Sequence, residues 1–463
     1  MIDAGELRTR HGAPQAASPV PERARLVVPA IDGFRGLAAM TVVLYHCFIG
    51  AGTPRLDEGP VRAVLQAGYL GVDFFFVISG FVLFLPAALN DGDIGDRRSY
   101  FLRRLARIGP AYYVFLLLAI LLTPVLTETA TELPLDSWKG ALLFFSHLGF
   151  LQQHVGRWFG EPYPLLALSW TLTLEVLFYL LLPYVARSFH RHPFRWLAGA
   201  LAVSTGWKLF AVNVPSTLSW LGADSWDARQ TAVAKVVLLT QLPGYVVHFA
   251  AGMAAALLFV YLRRHRPRLH PRLVVGVQLL AVAGVLLLMR DAGIRALSGS
   301  SPFDQWTRTT PVALVFAAVV VATALAPSRA QWPVANPVAR WLGDVSYGTY
   351  LCHLLLVIAA ITVFDFAPDG TWAAFLRLTA VVVPAALLTA WASFAVIERP
   401  ARRWASRRTK ARMAALGAGP AGTLLAAGVV PTPDEVPPAG DVGIDGSEVP
   451  AAAGTLVDEP EPV

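Results

Sequence analysis

Residues 31–48 read IDGFRGLAAMTVVLYHCF, an apolar run with an arginine, Arg35, near its start and a histidine, His46, near its end. As a helix it would reach most of the way across a bilayer, whose hydrocarbon core is about 30 Å thick. The two side chains are 11 residues apart, about 16 Å of helix rise, or roughly half that thickness. At about 100° per residue the spacing is close to three whole turns, so both point to nearly the same face. A permanent cation at the membrane edge and a group that titrates near neutrality thus share one stripe. Ionisable groups at such depth are costly and mark functional positions. The plainer reading of His46 is a histidine packed between helices, and its shared stripe with Arg35 argues against it.

The rest of the chain fits a membrane setting. Of 463 residues, 55% are hydrophobic and 15% charged, and the mean hydropathy is +0.54. That is too apolar for an ordinary soluble domain and predicts an all-α, polytopic membrane helix bundle. The net charge of +7 comes from arginines at the ends of apolar runs, the bias of cytoplasmic loops. No basic domain with interleaved aromatics is present, so nucleic acid is not an expected partner. Cys47 and Cys352 fall inside apolar runs and provide neither a disulfide framework nor a thiolate cluster. Each adjoins a histidine, but helix neighbours point about 100° apart and make poor joint ligands, so no metal is expected. The first 25 residues lack the apolar core of a cleavable signal, which leaves the first helix to direct insertion.

Ten crossings are expected, at about 33–49, 69–89, 109–126, 169–185, 196–212, 236–262, 273–289, 311–325, 345–363 and 373–397. The basic joints RRSYFLRRLAR (97–107), RSFHRHPFR (187–195) and RRHRPRLHPR (263–272) then share one side with the run RPARRWASRRTKAR (399–412). That arrangement places both termini in the cytoplasm of a multi-pass cell-membrane protein. The short apolar segment 140–151 is kept out of the count, because crossing there would move the next basic joint outside. It is expected to be re-entrant or to lie on the outer surface. The domain reading is a cytoplasmic segment 1–28, an integral membrane domain 29–400, and a tail 401–463 that is basic, then Ala/Gly/Pro-rich and acidic. The later part of the tail lacks the aromatics needed for a core and is expected to be disordered, as is the first segment.

Depth sorts the remaining polar residues. Arg104 and Arg107 are three apart and share a helix face at the cytoplasmic edge. Their planar forks suit phosphate oxygens, against the plainer reading of topological charge. Asp73 opens the second crossing in GYLGVDFFFVISGF (68–81), where a carboxylate is also favoured by the helix dipole alone. Gly68, Gly71 and Gly80 predict close helix packing, and Ser79, with no base beside it in the chain, reads as polar packing. Glu175 sits in LSWTLTLEVLFYLLLP (168–183), about a turn and a half into its helix. A carboxylate there needs a partner, and His46, at similar depth, is the candidate, with a packing hydrogen bond as the alternative. His353 falls near mid-membrane.

Six motifs occur in order: IDGFRGLAAMTVVLYH (31–46), GVDFFFVISGF (71–81), RRLARIGP (103–110), SWTLTLEVLFYLLLP (169–183), VSYGTYLCH (345–353) and IERP (397–400). Together, over residues 31–400, they resemble the membrane-bound acyltransferase-3 family. The resemblance implies transfer of an acyl group, usually acetyl from acetyl-CoA, to a hydroxyl of a sugar, glycan, lipid or macrolide-type metabolite. It implies Arg35 and His46 as the signature pair, Arg104 and Arg107 as a second arginine motif, Glu175 as the acidic position of the fourth-helix motif and His353 as the end of the Ser-Tyr…His stretch. Some relatives carry an appended extracellular hydrolase-like domain. Here only the tail follows, so a stand-alone acyltransferase is expected.

Residues and resemblance combine into one expectation. His46 is the general base with Glu175 as its catalytic partner, while Arg35, Arg104, Arg107, Asp73 and His353 bind substrate. Acyl-CoA is a co-substrate, no cofactor is permanently bound, and the partners are the donor, a hydroxylated acceptor and the lipid bilayer. Direct transfer in a ternary complex is expected over an acyl-enzyme, since no activated serine or cysteine is visible. The competing class is a proton-coupled transporter, because buried His, Asp and Glu also mark proton pathways.

Overall fold

A computed structural model describes residues 28–54, 59–127, 137–155, 168–266, 269–297, 302–366 and 368–416. The described residues fall within one compact unit, Val28–Gly428, and contain helices but no strand. In chain order the helices are α1 (Ala30–Gly50), α2 (Pro60–Gln66), α3 (Leu70–Leu89), α4 (Arg97–Thr127), α5 (Trp138–Leu148), α6 (Gln152–Val155), α7 (Trp170–Arg191), α8 (Pro193–Val212) and α9 (Val214–Thr217). There follow α10 (Ala228–Leu239), α11 (Leu242–His265), α12 (Pro271–Leu297), α13 (Pro302–Leu325), α14 (Ser328–Ala335), α15 (Pro337–Val363), α16 (Trp372–Ser393) and α17 (Arg399–Ala415).

Eight helical stretches among the described residues, centred on α1, α3, α4, α7, α11, α12, α15 and α16, are long and apolar enough to cross a membrane. The other two expected crossings fall on α8, made more polar by Arg195, Ser204, Thr205 and Lys208, and on α13, whose apolar part is Thr310–Leu325. The directions of the packed pairs require both to cross. Helices α3 and α11 run parallel, since Asp73 meets His248, Phe76 meets Tyr245 and Phe81 meets Phe259. With only α4 and α7 between them, α11 would point the opposite way, so α8 crosses as well. Helices α1 and α15 are also parallel: Gly36 meets Gly343, His46 meets His353 and Gly50 meets Val357. That second relation requires α13. The result is an all-α bundle of about ten crossings.

Three glycine contacts bring these pairs together. A Cβ on Gly252 would lie 2.1 Å from the carbonyl oxygen of Val77, and one on Gly80 would lie 2.3 Å from that of Phe249. On the other pair, a Cβ on Gly343 would lie 2.0 Å from the Asp32 carbonyl oxygen. Without an apolar driving force between helices in lipid, such backbone approach and the packing around it supply the association.

The segment expected at 140–151 is present as α5, whose 11 residues rise about 16 Å, too little to cross. The hydroxyls of Tyr112 and Tyr113 on α4 donate to the carbonyl oxygens of His147 (3.1 Å) and Leu148 (2.8 Å). They thereby add partners to carbonyl oxygens of the last turn of α5.

Beyond α16 the chain makes one π-helical turn, Phe394–Glu398, and continues as α17. The basic run of the tail is therefore a helix with a docked face. Ala405, Thr409 and Met413, spaced four apart, are buried, and α17 packs on α4. Asp96 joins the two: its Oδ2 accepts from the Ser99 N–H at 2.8 Å, capping α4, and from Arg412 Nε at 2.9 Å. The Arg412 guanidinium, helped by the Ser99 bonds, holds the Asp96 carboxyl at about 2, below its ordinary 3.8.

Two outcomes follow from this packing. Gly252→Leu is expected to lose the thermal unfolding transition of the purified protein, because the displaced atoms are backbone. Gly199→Ala, where nothing lies within 4 Å, is expected to leave the melting temperature unchanged or slightly raised. For Asp96, a depressed folded-state pKa means that its contribution is complete above about pH 4 and fades as the pH falls toward 2. The hydrogen-exchange protection factors across α17, taken against the intrinsic rate at each pH, should stay constant at neutral and mildly acid pH and fall below about 4. In Asp96→Asn protection should be low at every pH, without that acid step.

Candidate functional site

Helix α1 carries Arg35 and His46 on its stripe, and α15 is the wall opposite. Ten residues lead from Gly36 to His46 and ten from Gly343 to His353. Since the glycines touch and the helices are parallel, the equal spacing brings the imidazoles into register. His46 Nδ1 lies 2.9 Å from the Val42 carbonyl oxygen and 3.3 Å from His353 Nε2, with ring centroids 5.1 Å apart. His353 is fully buried, and its Nδ1 lies 2.8 Å from the carbonyl oxygen of Tyr350 and 3.1 Å from that of Thr349. The tyrosines of the same motif set the position of α15. Tyr347 donates to the Ile108 carbonyl oxygen on α4 at 2.9 Å, and the Tyr350 hydroxyl lies 3.0 Å from Thr171 Oγ1 on α7.

The other end of the stripe is cationic. Arg35, Arg107, Arg340 and Arg402 all lie within electrostatic range of Asp32. Arg402 is paired with Glu398 at 2.8 Å, and Glu398 is almost wholly buried. The π-helical turn delivers that carboxylate, so IERP is the joint that ties α17 to this end. Arg104 is only 8% exposed, and its guanidinium lies over the rings of Tyr100 and Tyr179, 5.5 and 5.9 Å from their centroids. Among the described residues, Arg35, Arg104 and Arg107 make no close ion pair and no side-chain hydrogen bond. A buried guanidinium without a carboxylate partner is costly, and an anionic guest relieves that cost.

Glu175 is placed differently from the sequence expectation. Its Oε1 accepts from the Tyr179 hydroxyl, one turn further along α7, and from Ser79 Oγ at 3.5 Å. It lies within electrostatic range of Arg35 and Arg104. The imidazole beside His46 is His353, and the Glu175 carboxylate is bonded to Tyr179 and Ser79, so the expected His46–Glu175 pair is corrected. The reason is rotational: Glu175 and Tyr179, four apart, share a helix face that looks toward Ser79. Asp73 is also committed elsewhere, 2.8 Å from His248 Nε2 in a pair with both side chains buried. Asp32 and Arg35, three apart, lie in electrostatic range without a close ion pair among the described residues.

Four positions escaped the sequence reading. His248 stands alone in LPGYVVHFAAGM (242–253) and Lys208 in a run of apolar neighbours. Both are buried, and an ionisable group in a membrane helix is itself a signal. Arg402 follows Glu398 by four residues, the spacing of a helical ion pair. Tyr179 had no mark beyond its distance from Glu175.

Comparisons with known proteins give the family. An acyltransferase domain family, acyltransferase-3, matches residues 28–393. The chain is 25% identical over 388 residues to peptidoglycan O-acetyltransferase OatA of Listeria monocytogenes, covering 82% of this chain and 56% of that protein. It is 25% identical over 395 residues to YrhL of Bacillus subtilis, provisionally named a peptidoglycan O-acetyltransferase, covering 81% of this chain and 55% of that one. A protein of Staphylococcus aureus provisionally named an O-acetyltransferase is 21% identical over 397 residues, covering 81% and 57%. The chain thus spans little more than half the length of these relatives. No solved structure matches. With six motifs in order on a helix bundle of about ten crossings and a family match across nearly all of that bundle, the chain belongs to the acyltransferase-3 family of multi-pass membrane proteins, and the bundle is its acyltransferase domain.

Proposed function

We propose that this protein is a membrane O-acyltransferase that moves an acetyl group from cytosolic acetyl-CoA to a hydroxyl of a sugar, glycan, lipid or macrolide-type metabolite. The observation that carries the reading is Arg35 at the foot of the α1 stripe that ends at His46, with Arg107 of α4 in electrostatic range of it and Arg104 one turn away, none of the three in a close ion pair or side-chain hydrogen bond among the described residues. Coenzyme A is a phosphate-rich anion with a long, slim pantetheine arm. Its phosphates suit the guanidinium forks, and the arm carries the thioester along the stripe toward the imidazole. Glu175, linked to Tyr179 and near Arg35 and Arg104, orients the cationic end rather than the base.

In the reaction, a nitrogen of His46 takes the proton of the acceptor hydroxyl as its oxygen attacks the thioester carbonyl carbon. The C–S bond then breaks, the acyl–oxygen ester remains, and the departing thiolate receives the proton back from His46, giving free coenzyme A. General-base assistance of this kind contributes typically about 10²–10⁴-fold. The positive-inside bias of the basic joints supports a cytoplasmic arginine end and cytoplasmic termini, on the side where coenzyme A is found. The names of the relatives make a cell-wall glycan the first acceptor to try.

His46→Ala is expected to lower acetyl transfer by at least about 10²-fold while insertion and melting temperature stay unchanged. Turnover near the wild-type rate in the purified variant rules out the general base. Arg104→Ala and Arg107→Ala are each expected to weaken acetyl-CoA binding by about 10- to 150-fold, corresponding to about 1.5–3 kcal/mol for a lost charge-assisted hydrogen bond. Unchanged donor affinity together with altered insertion would make these arginines topological only.

A further inference from the structure

The contact between His46 and His353 contains more than proximity, because the atoms around it dictate where the hydrogens sit. Two carbonyl oxygens, of Tyr350 and Thr349, face His353 Nδ1 at 2.8 and 3.1 Å. A carbonyl oxygen only accepts, so that nitrogen carries the hydrogen and donates. In a neutral imidazole the other nitrogen is then bare, which makes His353 Nε2 an acceptor. What faces it, at 3.3 Å, is His46 Nδ1, and the same His46 nitrogen lies 2.9 Å from the Val42 carbonyl oxygen. Both neighbours of His46 Nδ1 are acceptors, so it too carries a hydrogen, shared between them. The opposite assignment, a bare Nδ1 on both rings, would set lone pairs against three carbonyl oxygens. The bare nitrogen of His46 is consequently Nε2, on the far edge of the ring from α15.

We infer that His353 is a positioning residue, a neutral acceptor locked by its own helix backbone, that holds His46 in the tautomer whose Nε2 is free to take a proton. The inference rests on the general-base role of His46 and adds which nitrogen acts and what fixes it. In serine hydrolases the group behind the catalytic histidine is an anionic carboxylate, whose main service is to hold tautomer and orientation. Here, among the described residues, no carboxylate contacts either ring; the neighbours are Tyr45, 5.1 Å from the His46 centroid, and Tyr350, 5.7 Å from that of His353. An imidazole acceptor performs the same orienting service without placing a second buried charge in the bundle, where an unpaired charge is costly. When His46 is transiently protonated, its Nδ1–H becomes a charged donor and the bond to His353 strengthens, so the interaction is larger along the reaction than at rest.

Nitrogen NMR on the full-length protein in lipid, with isotope-labelled histidine, reads the tautomers directly. The two rings are assigned by signals lost in His46→Gln and His353→Gln. Each ring is expected to show a hydrogen-bearing Nδ1 and a bare Nε2, and in His353→Leu a second His46 form with its hydrogen on Nε2 is expected to appear. A wild-type His46 with its hydrogen on Nε2, or a His46 signal unmoved in His353→Leu, overturns the inference. Turnover of acetyl-CoA separates this failure from that of the general base. His353→Leu is expected to lower kcat by about 10²-fold or more at unchanged KM for acetyl-CoA, and His353→Gln, whose amide oxygen can accept in place of Nε2, to recover most of it. An inactive His46→Ala beside a fully active His353→Leu would leave the base standing and remove the positioning role. An active His46→Ala would remove both.

Discussion

The parallel contact of α1 with α15 is the constraint on which the site depends. Gly36 and Gly343 allow the backbones to meet at one end, where a Cβ on Gly343 would sit 2.0 Å from a carbonyl oxygen. From that fixed point, equal ten-residue spacings carry His46 and His353 to the same height, about 15 Å up each helix. Neither imidazole would find the other if the helices were antiparallel or slipped by a turn. Tyr347 and Tyr350 then pin α15 to α4 and α7, the helices that supply the arginines and Glu175. Register, rather than any single strong bond, aligns the cationic end with the imidazole end.

The two ends handle buried polarity differently. At the imidazole end every nitrogen facing protein has a neutral hydrogen-bond partner, and no ion is needed to satisfy it. At the arginine end, Arg402 is paired with Glu398 and Arg104 rests on tyrosine rings, but Arg35, Arg104 and Arg107 keep donor capacity uncommitted among the described residues. Leaving guanidinium groups in that state costs stability, as functional sites commonly do. Asp73 and His248 are a third case, a buried pair 2.8 Å apart within the packed α3–α11 contact.

Much of this was legible in the chain. The Arg35–His46 spacing already placed a cation and a titratable ring on one stripe, and the basic joints ordered ten crossings that the helix directions require. The motif glycines Gly71 and Gly80 announced close packing, and both would place a Cβ within 2.5 Å of a neighbouring carbonyl oxygen. The partner of His46 was not legible, because His353 lies 307 residues away and no local pattern encodes a contact between helices. Depth alone nominated Glu175, but depth does not state rotation, and Glu175 turns toward Ser79 and Tyr179. The docked face of α17 was hidden for a related reason: a run so rich in arginine reads as charge, and its three buried positions show only once α4 lies against them.

In the proposed reaction one bundle reads an acyl-CoA at its arginine end and transfers the acyl group to a hydroxyl. The most direct measurement reconstitutes the full-length protein in sealed vesicles, supplies acetyl-CoA only on the side of Arg104 and Arg107, adds a glycan and lipid extract as acceptor, and follows coenzyme A and labelled acetyl together. Free coenzyme A is expected to appear on that side in equal amount to acetyl ester formed, and omitting the acceptor is expected to stop both. Movement of acceptor across the vesicle membrane with no coenzyme A released, which is what a proton-coupled transporter would give, contradicts it.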